Sequence, residues 1–184
     1  SLWRSSERED EIFLFWGCYV SGEENLITLQ YMKYWLMKSE PTEYSIDDLQ
    51  KDDISSWFGV RNYQARNSMR DSMSRGDKVL FYHSNCSIPW VVGIAEIVGE
   101  PHADETQFDP TSDYYDPKSS RENPRWICRG VRFIEKFPSI VSLATLRSIS
   151  ELTNLRILQK WNRLSITEVS EREYEIIVSL GEKI

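Results

Sequence analysis

Runs of apolar residues, separated by short polar or glycine-containing segments, predict a set of strands along the chain. Each run is rich in aromatic or β-branched residues, which favour the extended conformation. The segment 90–98 (W-V-V-G-I-A-E-I-V) is the strongest of them. Its internal Gly93 predicts a bulge, or a close approach by a ligand or another backbone. Strands are predicted at 34–38, 78–83, 90–98, 125–137 and 164–169.

Helices are predicted between these strands, where capping residues precede segments of helical character. Ser45 with Asp48, and Ser170 with Glu173, have the three-residue spacing of a capping box. The predicted helices are 46–51, 61–71, 143–148, 151–159 and the segment that follows Ser170 and ends at Gly181.

The order of these elements favours an α+β domain. The central strands are separated by turns and loops, whereas a doubly wound parallel sheet needs crossover helices. We therefore predict a mostly antiparallel, curved sheet or small β-barrel with flanking helices. The segment 99–124 contains four prolines, and a loop of that length is usually functional or disordered. Its aromatic residues argue against disorder.

Residues 1–31 differ in composition from the rest of the chain. They include two basic and six acidic residues around an apolar run at 12–20. The run has the length of a signal-peptide core, but acids precede it and no clean cleavage site follows. We predict an extension over 1–31, dispensable for function, and a folded domain over 32–184. Met32 is a candidate natural start, and an added strand is the alternative for the extension.

Charge and composition exclude several classes of protein. With 22 Lys and Arg against 29 Asp and Glu, the net charge of −7 argues against a broad electrostatic hold on DNA, although not against a local basic cleft. No apolar run reaches the roughly 18–20 residues that cross a bilayer. Three dispersed cysteines do not form a disulfide framework. We therefore expect a cytoplasmic protein, or a nuclear one in a eukaryote, with no membrane partner.

Little in the sequence points to a metal, a cofactor or a nucleophile. His83 and Cys86 have an H-x-x-C spacing, but the remaining His and Cys residues offer no second pair to complete a zinc site. No P-loop, G-x-G-x-x-G or G-x-S-x-G motif occurs. We predict neither a metal nor a cofactor. The acids of the proline-rich loop, Asp104 among them, are interpreted as turn formers.

A basic and aromatic segment is the main candidate for binding. Between residues 57 and 75, four arginines accompany one acid, and Trp57 offers a face on which a base can stack. Arginine forks suit phosphate, and Asn and Gln amides suit the edge of a base. The alternative is an amphipathic helix with solvated arginines and a core tryptophan. The candidate contacts to nucleic acid are Arg61, Gln64, Arg66 and Asn67.

Several long motifs together resemble the EVE domain family, in order from about Met32 to the C-terminus. The chain departs from the family pattern at Phe58, where a polar residue is usual, and at Arg129 and Gly130, which replace Val-Asp. The motifs are W-L-M-K-S-E-P at 35–41, W-F-G-V-R-N-Y-Q-A-R-N at 57–67, G-D-K-V-L-F-Y-H-S at 76–84, V-G-I-A-E at 92–96, T-Q-F-D-P and Y-Y-D-P-K-S within 106–119, and N-P-R-W at 123–126.

The resemblance implies a PUA-like fold, related to readers of methylated adenine. It also implies binding of a modified base, such as 5-methylcytosine or 5-hydroxymethylcytosine, in DNA or RNA. The implied pocket uses an aromatic residue after the first helix, here Trp57, and side chains at the ends of two strands. We add Asn62 as a contact to the base edge. The candidate pocket residues are Lys38, Ser39, Trp57, Asn62, Tyr82, His83 and Ser84.

These observations predict a non-catalytic domain that accepts one flipped base into an aromatic pocket. We expect Trp57→Ala to remove modified-base binding with little loss of the fold. One alternative is a small hydrolase of modified nucleosides, of the ASCH type, for which Lys38 and Glu40 are the plausible pair. Another is a protein-interaction module with an exposed apolar patch. The sequence leaves open the modification, the choice of DNA or RNA, and the oligomeric state.

Overall fold

Strands form at all five predicted segments, and a sixth strand joins them at one edge of the sheet. The computed structural model describes residues 31–183, so the predicted extension over 1–31 lies outside the described residues except for Tyr31. The strands are β1 (Tyr34–Ser39), β2 (Ile54–Trp57), β3 (Lys78–His83), β4 (Trp90–Ala103), β5 (Ile127–Ser142) and β6 (Ile166–Val169).

These strands form a mixed sheet in the order β2-β5-β4-β3-β1-β6. Within residues 31–183, β1 and β3 form the one parallel pair, and every other neighbouring pair is antiparallel. The chain between β1 and β3 contains helices, as the crossover between two parallel strands requires. The predicted α+β architecture with a mostly antiparallel sheet is therefore confirmed.

The strand that the apolar pattern does not predict is β2, which has the sequence I-S-S-W. It pairs antiparallel with β5, with Ser56 opposite Gly130 and Trp57 opposite Arg129. Trp57 is the one residue of this strand that is buried. The apolar pattern that identifies the other strands is therefore absent here. The pairing matters because it fixes the position of Trp57.

Helices occupy the predicted capped segments, and both predicted capping boxes are formed. None of the helices within residues 31–183 combines the length and the apolar character that crossing a membrane requires. The helices are α1 (Ile46–Asp52), α2 (Tyr63–Asn67), α3 (Leu143–Arg147) and α4 (Glu171–Gly181).

The predicted helix at 61–71 is shorter in the structure and changes its winding. Asn62 is the N-cap, because its side chain accepts hydrogen bonds from two amides of the first turn of α2. After α2 the backbone continues as a wider π turn at Ser68–Ser72. Arg61 therefore lies before the helix, and its side chain takes a different direction from those of α2.

The predicted helix at 151–159 is wrong. Two short 3-10 turns, Ser150–Leu152 and Arg156–Leu158, take its place. Neither turn has a side-chain cap at its start. A helix this short needs such a cap, because its first turn costs more conformational entropy than one hydrogen bond returns. The segment after the second turn is consequently a loop that leads into β6.

Apolar side chains pack on both faces of the sheet. Trp35 and Phe81 point to the face on which α1 and α2 pack. Leu36 and Leu80 point to the opposite face, on which α3 and α4 pack. This division follows from the two-residue period of a strand. Because both faces are covered, β1 and β3 read as continuous apolar runs instead of alternating ones.

Gly93 allows a close approach by another backbone, as its position within β4 predicts. A Cβ atom at this position would overlap the carbonyl oxygen of Glu135 on β5. The pairing of β4 with β5 shifts register between Val91 and Gly93. The glycine therefore allows a bulge that bends two long strands together.

The proline-rich loop between β4 and β5 is held in place by a buried glutamine. The Nε2 of Gln107 donates to the carbonyl oxygens of Asp104 and Trp126 at 2.7 and 2.9 Å. Its Oε1 accepts from the backbone amides of Arg125 and Trp126, both at 2.9 Å. One side chain therefore joins the two ends of the loop.

Arg129, one of the departures from the family pattern, is a buried cation among carbonyl groups. It is 3% exposed and forms no salt bridge with a described residue. Its guanidinium donates to the carbonyl oxygens of Met69 and Gly99, both at 2.8 Å, and to that of Met73. Burial lowers its pKa below the ordinary value. Arg129 thus fixes the π turn after α2 to Gly99 of β4.

We predict that Arg129→Met lowers the free energy of unfolding by about 2–3 kcal/mol, because it leaves buried carbonyl oxygens without donors. The measurement is urea denaturation followed by circular dichroism. Arg132→Met is the matched control, since Arg132 lies on the same strand and is only half-buried. Equal stability of the two variants would contradict this role of Arg129.

Candidate functional site

A cleft of about 380 Å³ opens where the C-terminal end of β1 and strand β2 approach the proline-rich loop. Its walls combine aromatic, acidic and basic side chains. The lining residues include Lys38, Ser39, Glu40, Glu43, Ser56, Trp57, Phe58, Gly59, Val60, Arg61, Ser84, Tyr114, Val131, Arg163 and Ser165.

Two adjacent aromatic residues, Trp57 and Phe58, line this cleft. Trp57 is 7% exposed and meets the ring of Phe81 edge-on, with 5.2 Å between ring centroids. Phe58, one of the departures from the family pattern, is 50% exposed. Its ring lies 6.2 Å from that of Tyr114. The cleft therefore has a rigid aromatic wall and an accessible aromatic rim.

The burial of Trp57 corrects the expectation that its replacement by alanine leaves the fold intact. Trp57 packs within the same apolar cluster as Trp35, Phe81 and Val131. Truncating a buried tryptophan to alanine typically costs about 3–5 kcal/mol of stability. A loss of binding in Trp57→Ala would therefore not distinguish a pocket residue from a core residue.

Lys38 lines the cleft at the end of β1, and the residue is half-buried. It forms no salt bridge with a described residue, and burial lowers its pKa below the ordinary value. Next to it, the hydroxyl of Ser39 donates to the carbonyl oxygen of Tyr44 at 2.6 Å. The hydroxyl of Ser84 donates to the carbonyl oxygen of Ser39 at 3.4 Å. The serine oxygens keep lone pairs with which to accept a hydrogen bond.

A buried ion pair supports the wall that carries Phe58. The guanidinium of Arg61 donates to the Asp104 carboxylate at 2.8 Å, where the two side chains are 22% and 1% exposed. Its remaining N–H groups donate to Thr106 and to the carbonyl oxygens of Val60 and Tyr114. All five N–H groups of Arg61 therefore have protein acceptors. Arg61 is a structural brace in this arrangement, whereas the arginine-rich sequence around it predicts a phosphate contact.

Asp104 also fixes the backbone of the cleft wall. Its carboxylate accepts from the amide of Gly59 at 2.9 Å and from the amide and hydroxyl of Thr106. Gly59 has a φ of 79°, and a Cβ atom there would overlap the ring of Tyr114. The bonds to Thr106 match the turn-forming role expected of this acid. The link to residues 59–61 is not visible in the sequence pattern.

The pKa of Asp104 reflects these contacts. Burial by itself would raise it, but the hydrogen bonds from Thr106, Arg61 and Gly59 outweigh this effect and hold the pKa below its ordinary value of 3.8. Because the folded-state pKa is depressed, Asp104 stabilises the fold at neutral pH. This contribution begins to decline near the ordinary carboxyl pKa and is lost as the pH falls through the lower folded-state value.

The structure brings together only part of the predicted pocket. Lys38, Ser39, Trp57 and Ser84 all line the cleft. Tyr82 is separated from them, because it points to the opposite face of the sheet and packs in the apolar cluster there.

His83 is on the same side of the sheet as the cleft but is 6% exposed. Its Nε2 lies 3.2 Å from the amide of Ile46, and its Nδ1 lies 3.2 Å from the indole nitrogen of Trp90. Burial lowers the pKa of His83, which favours the neutral ring. Because one nitrogen of a neutral imidazole carries a proton, only one of these two contacts is a hydrogen bond accepted by the ring. The amide of Ile46 and the indole of Trp90 nevertheless face the two nitrogens, so neither is open to a base.

The predicted contacts on and before α2 lie beside the cleft instead of within it. Asn62 caps the helix, and together with Gln64 it lines a second, neighbouring groove. Arg66 donates to the side chain of Asn67 at 3.0 and 2.6 Å and to the carbonyl oxygen of Arg125 at 3.0 Å. Two of its five N–H groups stay available, so Arg66 retains the capacity to contact a phosphate.

The pair required by the hydrolase alternative is present in the cleft but is not engaged as a pair. Glu40 accepts a hydrogen bond from the side-chain amide of Asn85 at 3.0 Å. Within the described part of the chain, Lys38 and Glu40 form no ion pair. Over the same residues, no group of three or more His, Cys, Asp or Glu side chains is arranged to hold a metal ion.

We predict that Asp104→Asn lowers the free energy of unfolding at pH 7 by about 2–3 kcal/mol, because Arg61 and Gly59 lose a buried anionic acceptor. The difference from the wild type should shrink as the pH falls below the ordinary carboxyl pKa of 3.8, since the unfolded wild-type chain then binds a proton that the folded carboxylate takes up only at a lower pH. Urea denaturation at several pH values measures both effects.

Glu105→Gln is the control for this measurement. Glu105 follows Asp104 in the chain and pairs with Arg121, but both side chains are more than half exposed, at 67% and 69%. Such a surface pair contributes little to stability. A pH-independent difference between Asp104→Asn and the wild type would contradict the role assigned to the carboxylate.

Comparison with known proteins connects this geometry to a family. The chain matches the family model described as EVE domain over residues 33–180. It is 38% identical over 169 residues to thymocyte nuclear protein 1 of Homo sapiens, which covers 82% of this chain and 74% of that protein.

Solved structures agree with this assignment. A hypothetical protein from Leishmania major superposes with a TM-score of 0.79 at 46% identity, covering 82% of this chain and 95% of that one. The human THYN1 protein, solved in complex with DNA containing 5-methylcytosine, superposes with a TM-score of 0.76 at 37% identity, over 83% of this chain and 99% of that one. The PUA-like fold implied by the motifs is thereby confirmed. The match over residues 33–180 and the likeness to these relatives show that the chain belongs to the EVE domain family.

Proposed function

We propose that the domain binds DNA that carries a modified cytosine, of the 5-methylcytosine or 5-hydroxymethylcytosine type, with the modified base extruded into the cleft beside Trp57. The observation that carries the proposal is an aromatic-walled cleft lined by polar residues at the end of β1. The human relative solved with 5-methylcytosine-containing DNA supports the choice of DNA and of cytosine. The proposed task is binding without catalysis, in the cytoplasm or, in a eukaryote, in the nucleus.

The size and the walls of the cleft suit one base. A volume of about 380 Å³ is at the lower end of the roughly 300–1,000 Å³ that ligand pockets typically have. Trp57 and Phe58 supply aromatic surface, and stacking on such surface contributes about 1–3 kcal/mol for each base. Extrusion of a base from a duplex costs a few kcal/mol. Stacking therefore needs the support of hydrogen bonds to the base edge.

The polar groups of the cleft match the edge of cytosine. Cytosine offers an amino group as a donor, and its ring nitrogen and carbonyl oxygen as acceptors. We propose that Lys38, which lines the cleft, donates to the acceptor atoms of the base. The oxygen of Ser39 accepts, because its own proton is given to Tyr44. These two side chains replace Asn62 and His83 as the proposed edge contacts.

We propose that the 5-methyl group lies against the apolar residues of the cleft. Val60 and Val131 line the cleft together with Trp57, and all three belong to the core. One methyl group in an apolar pocket contributes about 1–3 kcal/mol of discrimination. We therefore expect a preference of roughly 10- to 150-fold over unmodified cytosine, and no larger one.

Fluorescence anisotropy with short labelled oligonucleotides, at fixed salt, tests this function. Each oligonucleotide carries one central cytosine, 5-methylcytosine, 5-hydroxymethylcytosine, adenine or N6-methyladenine, in DNA and in RNA. We expect a preference of about tenfold or more for one modified cytosine in DNA. Equal or undetectable binding across the panel would contradict the proposal. A preference for the RNA series would contradict the choice of DNA.

We predict that Phe58→Ala weakens binding of the preferred oligonucleotide by about 5- to 100-fold, because it removes a stacking surface at the rim. Lys38→Met should weaken binding through the lost edge contact while keeping the apolar part of the side chain. Tyr115→Ala is the control, since this ring is 42% exposed but does not line the cleft. If all three variants bind equally, the cleft is not the base site. Urea midpoints close to that of the wild type exclude unfolding as the cause.

A further inference from the structure

A solvent-exposed tryptophan lies on the loop between the second 3-10 turn and β6. Trp161 is 88% exposed. Its φ is 66°, a conformation that side chains other than Gly, Asn and Asp rarely adopt. A tryptophan buries a large apolar surface when it packs, so a tryptophan held in water calls for an explanation beyond packing.

Side-chain amides on the same loop keep Trp161 in this position. The amide nitrogen of Asn162 donates to the carbonyl oxygen of Arg156 at 2.8 Å, and its oxygen accepts from the amide of Leu164 at 3.1 Å. Gln159 donates to the carbonyl oxygen of Thr153 at 2.8 Å. The loop is therefore braced from within, and the indole is presented by a fixed backbone.

The surroundings of Trp161 are basic, in contrast to the chain as a whole. Between residues 152 and 167 there are three cations, Arg156, Lys160 and Arg163, and no acid, although the chain carries a net charge of −7. None of the three forms a salt bridge with a described residue. All three line the groove beside Trp161. Unpaired cations bind phosphates, and an exposed aromatic ring stacks on bases. The combination therefore suits a nucleic acid.

The loop is continuous with the proposed base cleft. Arg163 lines both the groove beside Trp161 and the cleft that contains Trp57. Two residues later, the carbonyl oxygen of Ser165 accepts from the backbone amide of Lys38 at 2.8 Å. The loop is thus anchored to the strand that carries the proposed edge contact. A DNA strand that places one base in the cleft must pass close to this loop.

We infer that Trp161 inserts into the DNA duplex next to the extruded base and stacks in the space which that base leaves, while Arg156, Lys160 and Arg163 bind neighbouring phosphates. The inference rests on the proposed function. Apolar and aromatic wedges stabilise distorted duplexes in this way, because they restore stacking that the extrusion removes. The partner is duplex DNA with a modified cytosine, to which the positive charge of the loop is complementary.

The test compares duplex and single-stranded DNA carrying the same 5-methylcytosine, by fluorescence anisotropy. A wedge is needed only where a duplex must be opened. We expect Trp161→Ala to weaken duplex binding by about 5- to 100-fold, the range for the loss of one stacked base, with a loss of less than about threefold for the single strand. Trp161→Phe should recover much of the duplex affinity, since it restores an aromatic ring.

A salt titration tests the phosphate contacts separately. The double variant Arg156→Gln with Lys160→Gln should reduce the slope of log K against log salt by about 0.9 for each phosphate contact that is lost. Lys51→Gln with Lys118→Gln is the control, because it removes the same charge from exposed positions outside the loop. Equal slopes for the two double variants would overturn the assignment of the loop to phosphates.

Each result separates the inference from the proposed function. If the wild-type protein binds no modified oligonucleotide, both are overturned. If the wild type binds, and Trp161→Ala binds both the duplex and the single strand with the affinity of the wild type, the inference fails but the base site stands. The exposed ring would then be assigned to contact with a protein partner. If Trp161→Ala weakens duplex and single-strand binding by the same factor, Trp161 stacks on an unpaired base and the wedge is overturned.

Discussion

The carboxylate of Asp104 is the contact on which the cleft depends. It accepts from Gly59, Arg61 and Thr106 at once, and so joins the segment after β2 to the proline-rich loop. Without an anion at this point, Arg61 would be a largely buried charge without a counterion, which is costly. The aromatic rim at Phe58 follows Trp57 directly and precedes Gly59. Its position is therefore set by the same carboxylate.

The main elements of the fold follow from local patterns, and the exceptions have physical causes. Apolar runs identify five strands, and the Ser45 and Ser170 capping boxes identify two helices. The apolar pattern does not reveal strand β2, because pairing with β5 stabilises it, while two of its four residues are serines and only Trp57 is buried. The segment 151–159 contains helix-favouring residues but no cap, and its contacts with the rest of the domain select two tight turns instead.

The sequence predicts those site residues that lie at the ends of predicted strands. It predicts less well the residues whose roles depend on contacts with distant parts of the chain. Lys38, Ser39 and Trp57 meet in the cleft because β1 and β2 end there, and the motifs of the family already name them. The role of Arg61 depends on Asp104, 43 residues away in the sequence. Nothing local distinguishes an arginine that binds phosphate from one that braces a loop. The cations around Trp161 are visible in the sequence. However, the sequence predicts a helix over 151–159, so it does not predict the exposed loop that these cations share with Trp161.

The distribution of charge reconciles an acidic chain with a nucleic-acid partner. Arg61 and Arg129 make their hydrogen bonds inside the domain. Arg61 pairs with a carboxylate, and Arg129 donates to carbonyl groups. Three cations beside the cleft, Arg156, Lys160 and Arg163, line the groove next to Trp161, and Arg66 on α2 keeps two free N–H groups. Because so few cations are available, long-range attraction to DNA is weak, and binding has to draw on short-range stacking and edge contacts. Such a balance favours discrimination between bases over a general affinity for DNA, since stacking and edge contacts depend on the identity of the base and phosphate contacts do not.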